Sequence, residues 1–121
     1  MNENEIREII KDPKRVNTLA DEFRRGRDVC DLLPLLNSEN KEIVGVAAWI
    51  VGEVTIDPSK AEPVMSRLHD LLNDADPSVR FLAMGALFPH ISKETLVTMS
   101  SDPNEGVRIR AQSALKRLLE K

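Results

Sequence analysis

The 121 residues, 41% hydrophobic and 31% charged, hold enough apolar mass for one continuous core, so a single domain over 1–121 is expected. A formal net charge of −3 offers no basic field to nucleic acid, and a lone cysteine, Cys30, excludes an intramolecular disulfide. Aromatics are only 3% with no tyrosine, so the core must be aliphatic, which suits helices packed on helices better than a β-sandwich.

Uncharged stretches such as 43–52 fall short of the roughly 20 residues that a bilayer-spanning helix needs. The acidic start, with Glu3, Glu5 and Glu8, is the opposite of a signal peptide's positive region, and a soluble cytoplasmic protein is expected.

In chain order, Ile6, Ile9 and Ile10 predict a helix over 3–11. Asp12-Pro13 then reads as an N-cap followed by proline at the first helical position, where its missing amide costs nothing. The helix that follows carries Val16, Leu19, Ala20 and Phe23 on one face and ends near Gly26. A helix over 28–36 holds five apolar residues, with Pro34 offsetting or kinking its first turn. After a polar turn at 37–40 comes the most apolar helix, 41–54, with Ile43, Ala47, Ile50 and Val51 inward. The connection 55–60 breaks at Asp57-Pro58-Ser59.

A helix over 62–73 places Val64, Met65, Leu68, Leu71 and Leu72 inward, and 74–77 turns into a helix reaching about residue 90. Ser92 caps a short helix through Met99. The last helix is predicted over 103–120, with Asp102 as N-cap and Glu105 at the capping-box position.

Asp76-Pro77-Ser78-Val79-Arg80-Phe81-Leu82-Ala83 is echoed by Asp102-Pro103-Asn104-Glu105-Gly106-Val107-Arg108-Ile109-Arg110-Ala111, with two residues inserted in the turn. Valine, then arginine, then alanine four after the valine recur in register. Matching anchors fall at Val16, Ile43, Val79 and Val107, at steps of 27, 36 and 28 residues. The expectation is an all-α protein of eight helices in four antiparallel pairs, an α-solenoid with repeats over about 3–26, 27–54, 60–90 and 92–120.

At these residues the chain resembles HEAT-repeat proteins, in particular the short bacterial and archaeal type related to phycobilin-lyase repeats. The resemblance covers nearly the whole chain, most closely at 76–87 and 102–115. The copy at 37–51 departs from it with Val44 where the arginine belongs, and the first copy has Asn17 there. It implies that the second helix of each pair lines a concave face. It also implies that Arg80 and Arg108 are structural, binding carboxylates or carbonyls of the turns, with Asp76 and Asp102 as candidate partners. The other reading of these arginines is a grip on an anionic ligand.

On such a concave face, the positions two, six and nine after each anchor lie outside the core set. They hold Gly45, Phe81 and Ile109, then Glu22, Trp49 and Gly85, then Phe88 and Lys116. Trp49, Phe81 and Phe88 are surplus apolar mass there, and tryptophan in a partly exposed groove is a preferred anchor for protein partners. Trp49 reads equally as a plug between repeats. Glycine inside a helix costs roughly 1 kcal/mol against alanine, so Gly45, Gly52 and Gly85 point either to close helix packing or to room for a partner.

No catalytic pattern stands out. There is no phosphate-cradling glycine loop, no zinc-binding cysteine pair and no histidine pair at ligand spacing, and His69 and His90 sit on separate helices. Arg24, Arg25 and Arg27 read as a solvated helix end, and Cys30 as a structural thiol. No cofactor or metal is expected. The function expected is a non-enzymatic module binding another, basic protein on its helical face, one version being an immunity protein that occludes a toxic nuclease. Self-association of the apolar groove in a homodimer stays open. The resemblance also admits a maturation factor that handles a prosthetic group. DNA glycosylases built from HEAT-like repeats use a strongly positive face, which the mixed charge here argues against.

Overall fold

Most helix starts in this chain carry a side chain that accepts from an otherwise orphaned amide. The computed structural model describes residues 2–120, and among them lie eight α-helices and no strand. Asn2 accepts from the Glu5 amide ahead of α1 (Glu3–Ile9), and Asp12 from the Lys14 amide ahead of α2 (Pro13–Arg24). Val29–Leu32 is a 3₁₀ turn leading into the short α3 (Leu33–Leu36), so the helix predicted over 28–36 is two pieces. Pro34 sits in the first turn of α3, where its missing amide breaks no bond. Asn40 caps α4 (Lys41–Gly52) through the amides of Glu42 and Ile43.

The connection predicted at 55–60 contains a 3₁₀ turn, Pro58–Lys60, capped by Asp57, before α5 (Glu62–Leu71). The helix α6 (Pro77–Leu87) stops short of residue 90 and gives way to a 3₁₀ turn, Phe88–His90. Pro89 explains the stop, since it has no amide to donate and disfavours helical backbone at Phe88. Ser92 caps α7 (Lys93–Met99).

The last helix corrects the sequence expectation. α8 (Glu105–Leu119) is capped by Asn104, which accepts from the Val107 amide. Asp102 is engaged one step earlier, taking the Asn104 amide at 2.9 Å, so Asp102-Pro103 belong to the turn and Glu105 opens the helix.

The helices group into two compact units, Met1–Leu87 and Phe88–Lys121. In the first, α4 packs against α1, α2, α3 and α6, while α5 lies against α3 and α6. Ile43, Val44, Ala47, Ala48, Ile50 and Val51 of α4 are all fully buried, while Val46 and Trp49 stay half-buried, so the helix is enclosed over most of its surface and open along one side.

Helices α4 and α6 run side by side in the same direction, as their contacts show. Lys41 reaches Asp74 just before α6, Gly45 faces Leu82, and Gly52 faces Ala86. A Cβ at position 45 would come 3.1 Å from Leu82 Cδ1, and one at 52 would come 3.5 Å from the Ala86 Cα. Both glycines thus serve close packing of the two helices. In the second unit α7 and α8 pack on each other around Leu96, Met99, Val107 and Ala111. Gln112 Nε2 donates to the Ser100 carbonyl at 3.1 Å.

Ile43→Ala removes a fully buried side chain from the centre of the first unit and is expected to cost about 2–5 kcal/mol in urea unfolding. Gly52→Ala adds a methyl at ordinary contact distance, so its expected change stays within about 1 kcal/mol. Gly52→Leu drives bulk into the α6 backbone and should be the more damaging of the two by about 1–3 kcal/mol.

A candidate binding groove between three parallel helices

A groove of about 790 Å³ opens along the N-terminal halves of α2, α4 and α6. Its apolar wall comes from Ile10 at the end of α1, Pro13 and Val16 on α2, Gly45, Val46 and Trp49 on α4, and Val79 and Leu82 on α6. Asn17, Lys41, Glu42, Asp76 and Ser78 supply its polar portion, gathered where the helices begin.

The far end is tied shut by Arg24, at the last turn of α2. Its guanidinium bonds Glu53, just past α4, and Asp21 at 2.7 Å, and lies 5.9 Å from the centre of the Trp49 ring. Those carboxylates, Glu53 foremost, push the arginine further above its usual pKa. Trp49 is therefore half-buried, with cation–π cover from Arg24 and its remaining surface on the groove.

At the open end Lys41 Nζ stands 2.7 Å from Asp74 Oδ1. Burial pushes the Asp74 carboxyl up, but the Lys41 hydrogen bond, the Asp76 amide, and the charges of Lys41 and Arg67 outweigh it and hold the group below the usual carboxylate value. Asp76 accepts the Ser78 amide at 2.8 Å, closing the first turn of α6. Arg80 reaches back to the carbonyls of Asp74 at 2.7 Å and Ala75 at 3.3 Å. Arg108 makes the equivalent bond to the Asp102 carbonyl at 3.0 Å, so both arginines brace the turn ahead of their own helix.

Of the residues singled out from sequence, the groove gathers Gly45, Trp49 and Asp76. Phe81 is 37% exposed on α6 and does not line it. Gly85 is at the α4 contact, its carbonyl 3.8 Å from where a Cβ on Gly52 would lie. Glu22 is drawn to Arg27, 3.4 Å away, which also bonds Asp31 and lies 4.9 Å from the Phe23 ring. In the second unit Phe88 is half-buried under the Arg110 guanidinium at 4.9 Å, Ile109 is 51% exposed, and Lys116 stands 4.0 Å from Glu120. Burial pulls the Arg110 pKa below its usual value.

Sequence reasoning passed over Val46 and Leu82. Both lie three residues after an anchor, and apolar residues recurring at that position were the available signal. Val16 was assigned to the core, yet it is half-buried and faces the groove.

The other candidate chemistry is occupied by structure. Cys30 is half-buried with Sγ 3.9 Å from the Lys60 carbonyl, and burial, then Asp28 and Asp31, push its thiol pKa up, away from a nucleophilic thiolate. His69 Nδ1 lies 2.8 Å from the Met65 carbonyl. No cluster of three metal-ligating side chains occurs among the described residues, and no helix there is long and apolar enough to cross a membrane. No protein-family model, curated protein or solved structure matches the chain.

Because the folded Asp74 pKa lies below the unfolded one, its contribution to stability is complete above the ordinary carboxylate value and disappears as pH falls through the folded value. The stability gap between wild type and Asp74→Asn should therefore hold constant from neutrality to about pH 5 and close below about pH 4, measured by chemical unfolding across pH. Arg24→Ala uncovers one face of Trp49, the chain's only tryptophan. Its emission should move to the red and acrylamide quenching should increase, with helical content retained.

Proposed function

We propose that the chain is a non-enzymatic protein-binding module of the HEAT-like, α-solenoid kind, which receives a segment of another protein in the groove between α2, α4 and α6. The observation that carries this reading is the groove itself, an apolar trough with a half-buried tryptophan at its tied end and polar residues at its open end. Central aromatic anchors inside a polar rim are the usual anatomy of a protein interface. The same-direction packing of α4 and α6, and the Val, Arg, Ala register shared by 79–83 and 107–111, support the repeat reading. A rigid helical stack offers a shaped surface that needs no cofactor.

A narrower form of the proposal is an immunity protein that blocks a toxic nuclease. Such an enzyme is basic because its substrate is anionic, and a blocker of net charge −3 is steered toward it. Neutralisation of a co-encoded nuclease in a one-to-one complex supports that form, and full nuclease activity in the presence of excess protein rejects it.

The test of the general reading is affinity capture from the source cells with wild type beside Val46→Glu and Trp49→Ala, each first shown to be folded by circular dichroism. A stoichiometric protein that cross-links to the groove and is lost from both variants is the expected result. A partner retained equally by both folded variants places the binding surface elsewhere.

A further inference from the structure

The hairpin of α1 and α2 is fastened to the rest of the first unit over little of its length. α1 buries Ile6 and α2 buries Leu19, Ala20 and Phe23, whereas α4 buries seven of its twelve residues. No residue of 13–18 is buried, and Pro13, Val16 and Asn17 stand along the groove instead. The hairpin's main partner outside itself is α4. Across that contact Arg24 bonds Glu53 and covers Trp49 from 5.9 Å.

The chain leaves α2 through Arg25-Gly26-Arg27. Gly26, at φ +116°, is the one left-handed backbone position among the described residues, and an added Cβ would meet nothing within 4 Å. An uncrowded glycine changes its backbone angles at little steric cost. Past it the chain is fixed again, since Asp28 accepts the Cys30 amide at 2.9 Å and Val29 and Leu32 are buried. Rotation between these two fixed ends is therefore concentrated at Gly26. Arg27, on the far side, adds only a long bond to Glu22 at 3.4 Å.

We propose that α1 and α2 form a lid that swings about Gly26 as one body while α3–α6 stay packed, with Arg24 as its latch. Opening parts Arg24 from Glu53, uncovers Trp49 and moves the α2 wall off the groove. The lid is a property of the folded chain and requires no partner, so it stands or falls separately from the binding reading.

The test is native-state hydrogen exchange of the full chain, followed amide by amide by NMR. The hydrogen-bonded amides of α1 and α2 should share one protection level, at least about tenfold below that of α4–α6. Leu68→Ala cuts a fully buried side chain from α5, which packs on α3 and α6. It should speed α4–α6 exchange by more than about tenfold and leave α1–α2 unchanged, because it weakens the open and closed forms alike. Arg24→Ala removes the latch, and Gly26→Ala strains the closed backbone at a positive φ. Each should speed α1–α2 exchange about fivefold.

Equal protection of the two groups, or equal acceleration of both by Leu68→Ala, makes the first unit one cooperative body and overturns the lid. Protection that falls away residue by residue toward Asn2 is end fraying and overturns it too. Unchanged α1–α2 exchange in Arg24→Ala rejects the latch. Gly26→Ala that speeds α4–α6 but not α1–α2 rejects the pivot.

Discussion

The approach of α4 to α6 is the constraint on which the first unit depends. The contact is tightest at position 45, where a Cβ would come 3.1 Å from Leu82 Cδ1, while at position 52 a methyl would meet the α6 backbone near Ala86 at ordinary contact distance. With the helices this near, Ile43, Ile50, Val51, Val79, Ala83 and Leu87 all sink out of solvent. Each glycine sacrifices helix propensity, and the burial achieved across the shared face exceeds that loss. The same proximity gives the groove a continuous floor from Val46 to Leu82.

The remaining wall, α2, is attached differently. Arg24 joins its last turn to Trp49 and Glu53 on the α4 side, whereas Pro13, Val16 and Asn17 near its start face the groove. A cavity bounded this way has one fixed edge and one edge secured chiefly at its far end. Its walls are apolar because they continue the faces that make the core. Its mouth is polar because helices begin there and need caps.

Much of the fold was legible in the sequence. Eight helices were read from spacing, and Asp12 and Ser92 were placed correctly as caps, because capping is a local matter settled within three or four residues. Asp102 was misplaced for an equally local reason, since two residues able to cap, Asp102 and Asn104, stand within one turn and divide the amides between them. The groove was legible only in part. Periodicity tells which side of a helix is apolar, but which neighbour covers that side depends on placement in space. Gly45 and Trp49 were found because their residue types are unusual for an interior helix face, whereas Val46, Leu82 and Val16 look like any core residue. Phe81 was conspicuous by type and lies outside the groove.

The two turn arginines carry a consequence for how the molecule meets acid. Arg80 and Arg108 hold main-chain carbonyls, groups with no proton to gain at any biological pH. The neighbouring Lys41–Asp74 link ends on a carboxylate, which does take up a proton. At the turn ahead of α6 stand, side by side, the Arg80 fastening that is indifferent to acidity and the Lys41–Asp74 link that acid releases. The main-chain brace of that turn and the side-chain link across to α4 thereby answer differently to acid.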